Sequence, residues 1–214
     1  MRTTSFFLLT ILCFALSTAF TQSFINTGPI NGNLNAFFID GPGGPFGQSI
    51  SDGFVANATG NPDIVNFGEW TLGGAPTVVN WSLGTTSFGS DLGSGGGAVT
   101  STFLGTDSFG YGIYNTQLIG ALGSLMYGDT YYLTLSGAND AGGSQFDGWD
   151  DNESVLASCY FQNPNGSGGC PTTESESFTI TGCCGPPVPE PSSILLFGSG
   201  ILGFAGVFRR KLVR

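Results

Sequence analysis

The chain has 214 residues, with 36 glycines, 13% aromatic residues and only 9% charged residues, a composition poor in helix formers. Its five basic residues are Arg2, Arg209, Arg210, Lys211 and Arg214, so no Lys, Arg or His lies between Thr3 and Phe208, where all fifteen acidic residues lie. A body without cations excludes binding to nucleic acid or anionic lipid, as well as Ser-His-Asp and Cys-His nucleophiles, His-bearing zinc sites and Schiff-base chemistry; metal cations, neutral glycans, cationic partners and paired-carboxylate hydrolysis stay open.

At the N-terminus, Met1-Arg2-Thr3-Thr4-Ser5 leads into the apolar run Phe6 to Leu16, followed by the small residues Ser17-Thr18-Ala19. A cationic start, an apolar run too short for a comfortable membrane span and small residues before a cut predict a signal peptide over residues 1–19.

Residues 20–182 form the predicted body. Strand-like runs are Ala36–Ile39, Ile50–Ala56, Asp63–Trp70, Thr77–Leu83, Ala98–Leu104, Tyr111–Ile119, Thr130–Ser136, Val155–Phe161 and Ser177–Thr181. Turn chemistry separates them, including Gly41-Pro42-Gly43-Gly44-Pro45, Gly60-Asn61-Pro62-Asp63 and the run Gly93 to Gly97. Val79, Trp81 and Leu83 alternate onto one face, as do Tyr131, Leu133 and Leu135. Many short alternating runs and no amphipathic helix predict an all-β fold, an antiparallel β-sandwich of jelly-roll-like type.

Asp140, Asp147, Asp150, Asp151 and Glu153, with Asn139 and Asn152 nearby, form the densest acidic stretch. Hard oxygen donors with no cation to neutralise them make these five the candidate Ca²⁺ ligands, although the spacing is not that of an EF-hand; the other reading is a solvated acidic loop. Of Trp70, Trp81 and Trp149, the sugar-stacking candidate is Trp149, because it stands among acids and glycines, while Trp81 alternates with core positions. Cys159 and Cys170 bracket a Gly/Asn/Pro loop and are the expected disulfide of an exported chain; the pairing of Cys183 and Cys184 stays open.

A linker over residues 183–191 contains Pro186-Pro187-Val188-Pro189-Glu190-Pro191, which cannot continue a helix or strand. Residues 192–208 carry no charge and bear glycines at Gly198, Gly200, Gly203 and Gly206; they are just long enough for a thin bilayer, which predicts a transmembrane helix. Arg209-Arg210-Lys211 opens a basic tail, residues 209–214, expected to stay cytoplasmic and so to place the body outside.

The order Val188-Pro189-Glu190-Pro191, short glycine-bearing span, Arg209-Arg210-Lys211 resembles the PEP-CTERM sorting signal. The resemblance covers Val188 to Arg214. It implies recognition at Pro189-Glu190-Pro191 by an exosortase-type membrane protease, transient residence in the inner membrane, removal of the tail, and delivery to the cell surface or extracellular matrix. Within the body, Gly110 to Tyr114, Tyr131 to Leu135, Trp149 to Glu153 and Ser175 to Gly182 loosely resemble a recurrent β-rich type of PEP-CTERM protein, which implies no particular activity.

The expectation is therefore a non-enzymatic surface or matrix protein associated with exopolysaccharide, with no cofactor assigned and Ca²⁺ as the candidate ion. The alternatives are a secreted glycan hydrolase using two carboxylates, which needs two acids roughly 5–10 Å apart in a cleft, and an ice-binding protein, which needs a flat Thr-rich face. Processing at both ends makes a sharp prediction. Intact-mass measurement of the protein recovered outside the cell is expected to give a product lacking residues 1–19 and the basic tail, with no Lys or Arg and hence resistant to trypsin. A mass that retains Arg209 to Arg214 would count against it.

Overall fold

The computed structural model describes residues 21–32, 35–144, 146–152, 159–170 and 175–183. They form the compact unit Thr21–Cys183, all of it β-structure and loops. The fourteen strands are β1 (Thr21–Asn26), β2 (Ala36–Phe38), β3 (Ser49–Val55), β4 (Ile64–Thr71), β5 (Pro76–Gly84), β6 (Gly93–Ala98), β7 (Thr100–Thr106), β8 (Gly112–Ile119), β9 (Thr130–Asp140), β10 (Gly148–Asn152), β11 (Tyr160–Asn163), β12 (Gly166–Gly169), β13 (Ser175–Glu176) and β14 (Phe178–Cys183).

All pairings are antiparallel and build two sheets. One has the backbone β1-β14-β4-β8, with β7 beyond β8 and with β10 taking over from β14 along the second half of β4. The other runs β12-β11-β3-β9-β5-β6. Leaving aside β2, β7 and β10 to β13, the chain passes from one sheet to the other at each step and turns back only at the β5–β6 hairpin. A β-ribbon folded at that hairpin and wrapped around itself has the winding of a jelly roll.

The alternating faces of both sheets meet in a single apolar cluster that includes Ile50, Phe54, Val79, Leu83, Leu133 and Leu135 from one sheet and Val65, Phe67, Leu118, Phe178 and Ile180 from the other. Phe54 of β3 meets Phe178 of β14 across the interface, ring centroids 5.7 Å apart in an edge-to-face arrangement.

The glycine run read as a turn is strand β6. Its Gly95 lies directly opposite Trp81 of β5, and a Cβ on Gly95 would stand 3.0 Å from the indole Nε1. Gly93 and Gly120 approach the same ring. The indole covers the strand at Gly93 and Gly95, and glycine at these positions is a condition of the packing.

The expected disulfide is present: Cys159 and Cys170 are bonded with Cα atoms 5.3 Å apart, and the Cys170 amide donates to the Cys159 carbonyl at the base of the β11–β12 hairpin. Among the described residues no helix is long and apolar enough to cross a membrane. The linker expected from residue 183 begins one residue later, since Cys183 ends β14; residues 184–191 and the expected signal peptide, transmembrane helix and basic tail lie outside the described residues.

The Trp81–Gly95 contact yields a stability prediction. Gly95→Val is expected to cost about 1–3 kcal/mol through overpacking against an indole that cannot retreat. Gly105→Ala, where a Cβ meets nothing within 4 Å, is expected to leave stability within about 0.5 kcal/mol. Urea denaturation of the two variants checks the contrast.

Candidate functional site

Eight of the twelve acidic residues among the described residues are buried: Asp40, Asp52, Glu69, Asp140, Asp147, Asp150, Asp151 and Glu176. A buried carboxylate needs donors, a proton or a cation, and the body has no cationic side chain. How each acid meets that need organises the two candidate sites.

The first is a cleft of about 720 Å³ on the outer face of the β4–β8 sheet. Trp70 and Ile113 form its floor, Asn31, Gly32 and Asn35 one wall, and the segment Leu104 to Tyr111 the other. Asp150 fastens it. Its carboxylate accepts from the Trp70 indole at 2.6 Å, from the backbone amides of Asn31 and Gly32, each at 3.1 Å, and from the Ser177 hydroxyl at 3.0 Å. Desolvation still pushes Asp150 up, and these four donors pull it back. Gly32 has φ +60°, and a Cβ there would collide with Ile113 Cδ1 at 2.0 Å, so the wall can close on the floor only with glycine at this position. On the opposite wall Asp107 accepts from the amides of Phe109 and Tyr111, at 2.9 and 2.8 Å. That turn projects Phe109, 83% exposed, and sets Tyr111 with its ring 6.1 Å from Trp70.

The second group lies at the rim of the core. Glu69 is paired with Trp149 across β4 and β10, and Trp149 packs on Phe67 and Phe178, so Glu69 shares the inward face. Asp147 stands two residues before Trp149. Burial raises Glu69 well above the ordinary carboxylate range, with repulsion from Asp147 and Asp140 adding to it and the nearby Thr116 hydroxyl opposing it without completing a hydrogen bond. Burial, then Asp140 and Asp40, push Asp147 up to about 7. The other two members are tethered. Asp40 accepts from the amides of Phe46 and Gln48, at 2.5 and 2.8 Å. Asp140 accepts from the Gly73 amide at 2.5 Å, the Ser144 amide at 3.0 Å and the Ser144 hydroxyl. Desolvation is the largest influence on Asp140, but the donors together outweigh it and hold its pKa low. A Cβ on Gly44 or Gly73 would lie 2.3 Å from the Asp40 or the Asp140 side chain, so both tethers need glycine.

Against this geometry the five expected Ca²⁺ ligands do not form one loop. Asp140 ends β9, Asp150 and Asp151 lie within β10, and Glu153 lies outside the described residues. Asp140 and Asp147 belong to the rim group, whereas Asp150 turns to the outer face. Among the described residues the one set of three His, Cys, Asp or Glu ligand atoms gathered within 4.8 Å is Cys159, Cys170 and Glu176, and its two cysteines are joined in the disulfide. Trp149, expected to stack on sugar, is fully buried, with its indole donating to the Ser177 carbonyl at 3.1 Å. Its acidic neighbours are themselves buried, so they did not mark a surface. The tryptophan at the cleft is Trp70, and Glu69 is a site residue that the sequence alone did not single out.

Residues 187–211 match the PEP-CTERM protein-sorting motif. No curated protein matches the chain. The motif marks an exported protein that is processed by exosortase, a membrane protease, and sorted to the cell surface. Val188, Pro189, Glu190, Pro191, Arg209, Arg210 and Lys211 all fall within the match, and lie outside the described residues.

The rim acids make stability depend on pH. The folded-state pKa of Asp147, about 7, lies above its ordinary value of 3.8. Between the two, the folded chain holds a proton that the unfolded chain has released, so the Asp147 contribution to stability falls as pH rises from about 4 to 7 and is flat above. Glu69 and Asp150 shift in the same direction, while the lowered Asp140 costs stability only as pH drops through its unfolded value of 3.8. Thermal melting in metal-free buffer is expected to peak near pH 4–5. Asp147→Asn is expected to flatten the decline toward pH 7; a melting temperature that instead rises over this range would contradict the assignment.

Proposed function

We propose that this exported chain is a non-enzymatic component of the cell surface or extracellular matrix that binds exopolysaccharide through the Trp70–Tyr111 cleft. The observation that carries the reading is the cleft itself: an aromatic floor and wall held by hydrogen bonds donated to buried Asp150 and half-buried Asp107, and lined in part by Asn31 and Asn35. Aromatic faces pack on the apolar faces of sugar rings, and amides meet the hydroxyls. A body without cations would repel an anionic polysaccharide, so the fitting ligand is neutral or amino-bearing.

Support for binding rather than hydrolysis comes from the carboxylates. Among the described lining residues Asp107 is the one acid, and one of its oxygens is already committed to the Phe109 and Tyr111 amides. A glycosidase needs a second carboxyl facing it across the substrate. Ice binding receives less support, because exposed β7 interrupts Thr100, Thr102 and Thr106 with Phe103, Leu104 and a register shift.

Affinity electrophoresis through gels containing neutral and amino-bearing exopolysaccharides tests the reading. Retardation is expected. Phe109→Ala and Tyr111→Ala are expected to weaken it about tenfold each, the loss of one stacking contact, without a large change in melting temperature. Equal mobility in every gel, or retardation unchanged in both variants, would defeat the proposal.

A further inference from the structure

We propose that Glu69 and Asp147 are the protein ligands of a calcium ion seated at the rim of the core, in the negative field of Asp40 and Asp140. This inference stands independently of polysaccharide binding. Glu69 and Asp147 are each 0% exposed, and among the described residues none hydrogen-bonds to any of their four carboxylate oxygens. The Thr116 hydroxyl beside Glu69 is buried and lacks a hydrogen-bond partner among them as well.

Three remedies exist for a buried carboxylate, and two of them fail here. Donors serve Asp40, Asp140 and Asp150 but do not reach these four oxygens. Protonation removes the charge yet leaves buried hydroxyl and carbonyl oxygens without partners among the described residues, which is itself costly. A cation answers both needs, since it neutralises the pair and occupies the open lone pairs. The body supplies no side-chain cation, so the charge must come from solution.

The donor chemistry selects the ion. Carboxylate, hydroxyl, backbone carbonyl and water are hard oxygen ligands, which favour calcium or magnesium over zinc or copper. Calcium tolerates irregular geometry with 6–8 ligands, while magnesium demands a near-ideal octahedron and gives up water reluctantly. Asp40 and Asp140 are held back by their amide tethers, and no three acidic ligand atoms of this group lie within 4.8 Å. The site is therefore a two-carboxylate one. Thr116 and water can complete the shell, and the tethered pair deepens the negative potential that draws the ion in.

The test uses the full chain in detergent micelles, stripped with chelator and titrated with Ca²⁺ and, separately, Mg²⁺. Calorimetry is expected to show saturable binding of one Ca²⁺ per chain, with Mg²⁺ weaker. Melting temperature is expected to rise by roughly 5–10 °C at a hundredfold excess of Ca²⁺ over its Kd. Glu69→Gln and Asp147→Asn are expected to abolish the calcium shift while leaving the metal-free melting temperature unchanged or higher, because an uncompensated buried charge has gone. Carboxylates with a purely structural role would do the reverse, lowering the melting temperature and preserving the shift. Terbium binding gives a readout that needs no variant: the ion should show emission sensitised by nearby Trp149 and be displaced by Ca²⁺. The proposal is overturned by a wild-type chain with no calcium shift, by a shift that survives in both variants, or by terbium emission that Ca²⁺ does not displace.

Discussion

A carboxylate taken out of water must be met by something, and in this body nothing with a positive side chain is there to meet it. The cost of leaving it unmet is several kcal/mol per ion, comparable to the stability of a whole domain. The loops are therefore arranged around the acids. Asp40 gathers the turn through Phe46 and Gln48, Asp140 joins Gly73 to Ser144, Asp107 winds the Phe109–Tyr111 turn, and Asp150 ties the 31–32 segment to Trp70. In each case backbone amides do what Arg and Lys do elsewhere. Glycines at positions 32, 44 and 73 matter because the partners come so close that a Cβ would not fit.

This use of acids links the fold to the cleft. The jelly roll supplies a rigid outer face, and the walls that make it concave are the segment with Asn31, Gly32 and Asn35 and the end of β7 with the turn that follows it. Asp150 and Asp107 hold these walls by hydrogen bonds. The cleft's geometry thus rests in part on polar contacts, which are directional and lose their effect quickly when misplaced. The hydrophobic cluster between the sheets carries the bulk of the stability, and the carboxylates set the detail.

Strands with a period-two pattern were legible in the sequence. Val79, Trp81 and Leu83 of β5 and Tyr131, Leu133 and Leu135 of β9 alternate inward as their pattern requires. Strand β6 was not legible, since glycine is a poor strand former and signals a turn; only the opposing indole of Trp81 makes it a strand. Strand β10 was hidden for a related reason. Gly148-Trp149-Asp150-Asp151-Asn152 reads as a solvated acidic loop, yet all five residues are buried. Trp149 was misplaced with it, because hydropathy assigns acids to water and takes their neighbours along. Glu69 was missed because one acid between aromatic and glycine residues carries no spacing signal; its role comes from tertiary neighbours distant in the chain.

The antiparallel pairing of β1 with β14 sets Thr21 opposite Cys183. The first strand of the body therefore cannot acquire its partner until the last has been delivered. Closing a loop of this length comes late, since the entropy of joining distant segments is lost before the contact rewards it. For a polypeptide threaded across a membrane from its N-terminus, the emerging portion must wait, open and vulnerable, for its own end.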